Sequence, residues 1–218
     1  LTVGSDIFSG CVACTSISGL FKGCTSLESV SETAFSGLAK VTSIANLFQN
    51  CSSLKTVPAG LFRDMTGITN ASNVFSGSGL VSTPSGLFSE NARITNFATA
   101  FKGCESLVTV ADGLFDGASG ATSFMSAFEG CTALETVGNI FGTSTVSANI
   151  ACDLLFKGCV SLKSVPSGLF DGLRTVNTFV SAFEGCSSLA SIPSGLFANQ
   201  TAATSLTLQK CFSGCTSL

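Results

Sequence analysis

The sequence predicts an α/β repeat solenoid: one domain over residues 1–218, built of about eight stacked units, each a short parallel strand followed by short helical turns. Three periodic columns predict it. First, phenylalanine recurs about every 27 residues along two ladders. One runs Phe21, Phe48, Phe75, Phe101, Phe128, Phe156, Phe183, Phe212, and the other Phe8, Phe35, Phe62, Phe88, Phe115, Phe141, Phe170, Phe197. Phe97, Phe124 and Phe179 each stand four residues before a member of the first ladder, so all 19 Phe belong to the pattern. Second, Leu takes the sixth place after the first-ladder Phe, at Leu27, Leu54, Leu107, Leu134, Leu162, Leu189 and Leu218, with Leu80 in a copy shortened by one residue. Third, the second place after Phe is always Gly except for Asn50. Units of this kind cannot bury their apolar faces alone and bury them against neighbours.

The first element of the unit is a strand. Two residues beyond Leu stands Ser29, Thr56, Ser82, Thr109, Thr136, Ser164 or Ser191, followed by Val, Ile or Thr. This Leu-x-Ser-Val run predicts a short strand paired in parallel from unit to unit. All four Pro (Pro58, Pro84, Pro166, Pro193) share the next column, where a missing N–H and a fixed φ end the strand. Ser-Gly-Leu-Phe or Asp-Gly-Leu-Phe then supplies an N-cap and one helical turn that meets Gly117 or Gly172. A second short helix is predicted through Thr-x-Phe-x-x-Ala-Phe, closed by the Gly/Asn column as its left-handed C′ position. The unit is stretched within Gly142–Asn149 and Ala198–Ser205 and shortened at Ser78–Leu80. Insertions in solenoids map to surface loops, and neutral loop drift is their ordinary cause.

Composition excludes several classes of function. Only 11% of residues are charged, well under the roughly 25% of soluble domains. The longest apolar run is Cys11 to Cys14, against the roughly 18 residues of a spanning helix, so no membrane span is expected. A net charge of −3 with scattered Lys and Arg lacks the footprint of a nucleic-acid binder. The absence of His removes the commonest general base and the usual triads, and the Asp and Glu residues stack in no consistent column. No catalytic residue, cofactor site or metal site is assigned, and the chain is expected not to be an enzyme.

Eleven Cys invite a disulfide or metal reading. Cys24, Cys51, Cys104, Cys131, Cys159, Cys186 and Cys215 stand three residues after Phe, with Ser78 at the missing rung, and the other four occupy apolar or small-residue columns. Stacked rungs place equivalent side chains about 4.8 Å apart with parallel vectors, which suits a disulfide poorly. Cys11 and Cys14 form a lone CxxC without His, a weak zinc signal. Buried structural thiols are expected instead. A partial column of Thr15, Thr42, Thr69, Thr95 and Thr122 is expected to hydrogen-bond to neighbouring turns rather than to order water.

At Ala182–Pro193 (AFEGCSSLASIP), Ala100–Val110 (AFKGCESLVTV) and Leu155–Pro166 (LFKGCVSLKSVP) the chain resembles BspA-type leucine-rich repeats of bacterial surface proteins, in their longer repeat variant. The resemblance implies a right-handed leucine-rich-repeat solenoid on an exported or cell-surface protein with a role in adhesion or protein binding. It transfers no catalytic or cofactor residue. Starting at Leu1 without Met and stopping at Phe212–Leu218 halfway through a unit, the chain is expected to be an uncapped excerpt of a longer protein, with end-to-end contact through its termini. The expected function is a non-enzymatic surface recognition module. It would bind a host or bacterial protein through the strand-face column Glu28, Lys55, Val81, Val108, Glu135, Lys163 and Ala190. The alternative is a spacer that displays another domain and has no ligand of its own.

Overall fold

The computed structural model describes residues 1–142, 150–173, 175–200, 203 and 205–218; of the predicted insertions at Gly142–Asn149 and Ala198–Ser205, residues 143–149 and 201, 202 and 204 lie outside them. The predicted strand forms where the sequence places it, shortened to its Ser-Val end. β1 (Thr2–Val3) pairs in parallel with β2 (Ser29–Val30), and β3 (Thr109–Val110) with β4 (Thr136–Val137). Bridges Ser82↔Thr109 and Thr136↔Ser164 carry the β3–β4 ladder one unit further on each side. Strands appear where Gly4, Ser31, Ala111 or Gly138 follows, and Ser31 N–H and Gly138 N–H donate back to Val3 O and Val110 O at 2.9 Å. Where Pro58, Pro84, Pro166 or Pro193 stands instead, that donor is missing and the pairing shrinks to a single bridge or none.

The predicted helices are not there: no helix occurs among the described residues. In place of the second helix a second parallel ladder runs Ser16↔Ser43↔Asn70↔Asn96↔Ser123↔Ala151, continued by Thr178↔Thr207. It includes β5 (Ile150–Ala151) and β6 (Val176–Thr178), with a bulge in their register. Backbone conformation decides this. Gly19 and Gly23 have φ of 67° and 74°, and Thr99 and Gly103 repeat the pair at 58° and 68°. Left-handed residues this close together interrupt the right-handed run a helix needs. The chain forms overlapping turns instead, closed by Leu20 N–H to Ile17 O, Lys22 N–H to Gly19 O and Cys24 N–H to Phe21 O, with Gly23 at the third place, where a type II turn requires positive φ. The alternate N–H groups point across to the next unit: Gly19, Phe21 and Gly23 donate to Ala45 O, Leu47 O and Gln49 O at 2.7–3.0 Å. The first predicted helical turn is likewise a pair of turns, Ala34 N–H to Ser31 O and Ser36 N–H to Thr33 O.

The rings stack as the ladders demand. Successive first-ladder centroids are 5.2–5.7 Å apart with interplanar angles of 6–18°, and the second ladder stacks at 5.6–6.3 Å. Phe97, Phe124 and Phe179 lean edgewise or tilted into the second ladder at 4.7–5.0 Å, the approach aromatic quadrupoles favour. All Phe are buried except Phe8, Phe21, Phe197 and Phe212, which are partly covered in the first and last units.

Candidate interaction face

The strand column forms a geometric line from Lys55 to Ala190. Val81 N–H donates to Lys55 O, Val108 to Val81 O, Glu135 to Val108 O, Lys163 to Glu135 O and Ala190 to Lys163 O, at 2.8–3.3 Å, and Glu28 N–H donates to Leu1 O. Leu27 and Val30 point inward while Glu28 and Ser29 between them are exposed, so each unit turns two residues outward. Glu28, Lys55, Val81, Lys163 and Ala190 are exposed, and Val108 and Glu135 half-buried. All seven residues singled out in the sequence therefore share one surface.

Their charges are largely satisfied within that surface. Lys163 Nζ stands 2.6 Å from Glu135 Oε2, Lys55 Nζ donates to Ser52 O at 3.3 Å, and the N-terminal ammonium lies 3.7 Å from Glu28. Exposed pairs of this sort contribute about 0–1 kcal/mol. What they leave at the centre is Val81, 40% exposed, beside Val108.

A second charged column escaped the sequence reading, which found no consistent stacking of carboxylates. Lys102, Glu129, Lys157 and Glu184 each follow a first-ladder Phe and alternate in sign up the stack. Lys102 pairs with Glu129 at 2.9 Å and Lys157 with Glu184 at 3.4 Å. Burial alone would raise the Glu129 carboxyl, but hydrogen bonds from Lys102 and Ser126 and the charges of Lys102 and Lys157 hold it below the usual range. A Ser181 hydrogen bond and the same Lys157 lower Glu184. The alternation was legible in the residues after Phe101, Phe128, Phe156 and Phe183.

The thiols are structural. All eleven cysteines are free, and all but Cys11, Cys14 and Cys24 are buried. Each buried member of the ladder donates to the carbonyl of a Phe one unit earlier: Cys51 to Phe21 O, Cys104 to Phe75 O, Cys131 to Phe101 O, Cys159 to Phe128 O, Cys186 to Phe156 O and Cys215 to Phe183 O, at 3.0–3.2 Å. Cysteine suits the column because it is small and apolar yet carries one weak donor. Burial pushes Cys51 up to about 11 and Cys186 and Cys211 up to about 12, and raises Cys131 and Cys159 well above the usual value. Thiols so protonated are poor nucleophiles.

The hydroxyls of Thr42, Thr69, Thr95 and Thr122 donate to Thr15 O, Thr42 O, Thr69 O and Thr95 O at 3.1–3.2 Å, as expected of that column. On the third side a groove of about 420 Å³ is lined by Asp112, Asp116, Asn139 and Asp171. Asp112 is engaged by Asn139 N–H at 2.6 Å and Asp171 by Asn199 Nδ2 at 2.7 Å. Among the described residues no group of three His, Cys, Asp or Glu side chains is placed to hold a metal ion.

No family model and no curated protein matches the sequence. Solved structures do match. In two structures of the Toll–Spatzle complex of Drosophila, the second a glycosylated form, the matched chain aligns at 20% identity with TM-scores of 0.57 and 0.58, over 84% of this chain and 22% of its own length. The likeness is one of fold: a repeat solenoid. A leucine-rich repeat protein from Bacteroides ovatus is matched over 100% of this chain and 69% of its own, at 18% identity and a TM-score of 0.33. The solenoid thus spans 22% of the length of the first matched chain. No helix among the described residues is long and apolar enough to cross a membrane.

Proposed function

We propose that this solenoid is a non-enzymatic recognition module of a bacterial cell surface that binds a protein partner through the strand column. One observation carries the reading: six outward residues from Lys55 to Ala190 are held in line by rung-to-rung hydrogen bonds, with an apolar centre at Val81 and Val108 between Lys55 on one side and the Glu135–Lys163 pair on the other. An apolar centre with a charged rim is the anatomy of a protein-binding patch. The bacterial surface location and the BspA-type assignment rest on the resemblance of the F-x-G-C-x-S-L units. A chain of similar fold takes part in the Toll–Spatzle complex.

The test is capture of extracellular host and bacterial surface proteins on the immobilised chain, repeated with Val81→Asp and Val108→Asp and with Glu28, Lys55, Glu135 and Lys163 reversed in sign. Recognition predicts a saturable partner lost in the Val variants. The spacer reading has its own support, because the Glu135–Lys163 pair satisfies charges that a partner would otherwise use. It predicts no saturable partner and no effect of any of these substitutions.

A further inference from the structure

One rung in the middle of the stack is a residue short, and the gap borders the strand column. In every other unit two residues separate the cysteine column from the core Leu, as Ser52 and Ser53 do between Cys51 and Leu54, and Glu105 and Ser106 between Cys104 and Leu107. In the third unit Gly79 alone links Ser78 to Leu80, so that rung lacks two outward side chains. Its backbone is drawn towards the unit before it: Gly79 N–H donates to Cys51 O at 3.1 Å, and a Cβ at Gly79 would collide with Ser52 O. A notch of about 330 Å³ results, lined by Ser78 and Gly79 of the short rung, Ser52 of the unit before and Glu105 and Ser106 of the unit after. Leu80 leads directly into Val81 and Leu107 into Val108, which sets the notch beside the apolar centre.

The groups around this notch call for hydrogen-bond donors. In the units of Gly23, Gly103 and Gly185 the glycine carbonyl accepts from the N–H two residues on, at 2.8–2.9 Å. The short rung turns that N–H to Cys51 O instead, and Gly77 O, Ser78 O and Gly79 O accept no hydrogen bond among the described residues. The Glu105 carboxylate likewise has no ion-pair or hydrogen-bond partner among them, and Lys102 of the same unit is held by Glu129 at 2.9 Å. Lys55 Nζ stands beside Gly79 on the opposite side, tied to Ser52 O at 3.3 Å. A guanidinium answers this set: it carries five donors in a planar fork, no acceptor and a permanent charge, and Arg is enriched among the residues that anchor protein interfaces.

We infer that the protein partner of the strand face inserts an arginine side chain into the Ser78–Gly79 notch, where the guanidinium pairs with Glu105 and donates to the unpaired carbonyls while apolar neighbours cover Val81 and Val108. The inference rests on the recognition reading above and adds the chemistry of the partner to it. Val81, 40% exposed, and Val108 supply apolar area, which any apolar segment could cover. The notch beside them selects a segment that carries a basic, donor-rich residue at that place.

Titration of the full chain with the peptide acetyl-Leu-Arg-Leu-amide, read by assigned amide chemical shifts, tests this, with acetyl-Leu-Glu-Leu-amide as the peptide of opposite charge. The expected result is saturable shifts at Gly77, Ser78, Gly79 and Ser106 with the arginine peptide and none there with the glutamate peptide. Glu105→Gln, which changes one exposed side chain without changing its size, should weaken binding about tenfold. Insertion of one Ser between Gly79 and Leu80 restores the spacing of the other units, refills the gap and should abolish the shifts. Undiminished binding in either variant overturns the inference, as does a glutamate peptide that binds as well as the arginine one, or an arginine peptide that gives no saturable shift. Shifts at Val81 and Val108 without shifts at Gly77–Gly79 leave the recognition face standing and overturn the notch. Loss of a captured partner in Val81→Asp but not in Glu105→Gln does the same.

Discussion

Replacing Phe115 by Ala strikes the point where the ladders are most densely joined. Its ring is 1% exposed and stands within 4.8–6.5 Å of six other rings, those of Phe88, Phe97, Phe101, Phe124, Phe128 and Phe141. A buried Phe→Ala change costs about 3–5 kcal/mol, and the close approaches of Phe97 and Phe124 place this one at the upper end. Phe8 is the control: it is partly covered and stacks on Phe35 alone, at 5.8 Å, so Phe8→Ala removes about half the burial of a full Phe, ~1 kcal/mol. Because each unit touches only its neighbours, the Phe115 lesion also uncouples the units before it from those after it. Urea unfolding followed by far-UV circular dichroism is the assay, since the chain has no Trp or Tyr to report by fluorescence. Phe115→Ala should split the transition or lower its midpoint several times more than Phe8→Ala does. Equal shifts in a single transition would refute the stacked-ladder reasoning.

Three further outcomes follow from the same structure. Cys51, Cys186 and Cys211 keep their protons in the folded state up to about 11 or 12, whereas in the unfolded chain they lose them near 9.0, so their contribution to stability is intact below pH 9 and falls as pH rises through that window; a flat alkaline profile in urea midpoints would contradict it. Glu129 runs the other way. Its folded-state value is lowered, so its contribution is present above the ordinary glutamate range and is lost as pH falls through the lowered value, and Glu129→Gln should flatten the acid limb of the same midpoint profile. Lys210 holds a φ of 55°, which costs a residue with a Cβ roughly 1–2 kcal/mol; Lys210→Asn should raise stability by about 1 kcal/mol, read as a higher urea midpoint.

Much of the architecture was legible because stacking makes each column uniform. The Phe, Leu and Cys ladders name the core directly, and the Pro column marks where strand pairing fails. The helices were misread for a physical reason. Three-residue spacing of apolar side chains arises from overlapping turns as readily as from a helix, and the distinguishing signal lies two residues before Phe. There Gly19, Asn46 and Asn73 tolerate left-handed backbone, but Thr99, Ser126, Leu154, Ser181 and Lys210 adopt the same conformation and conceal the rule. Thr99, Ser126, Leu154 and Ser181 are held in it by the neighbouring rung, their N–H groups donating to Met125 O, Asp153 O, Val180 O and Gln209 O at 2.9 Å. Simple alternation from Leu picks out residues that the structure leaves exposed or half-buried, whereas the pairing of Glu135 with Lys163 required the register between units to be known.

Counting reactive thiols tests the stacked, thiol-lined core most directly. Native protein without reductant should be labelled at Cys11, Cys14 and Cys24 only, and all eleven cysteines should become reactive on unfolding. Native labelling of Cys104, Cys131 or Cys159, or cysteines that stay unreactive after unfolding because they are paired as disulfides, would contradict the account.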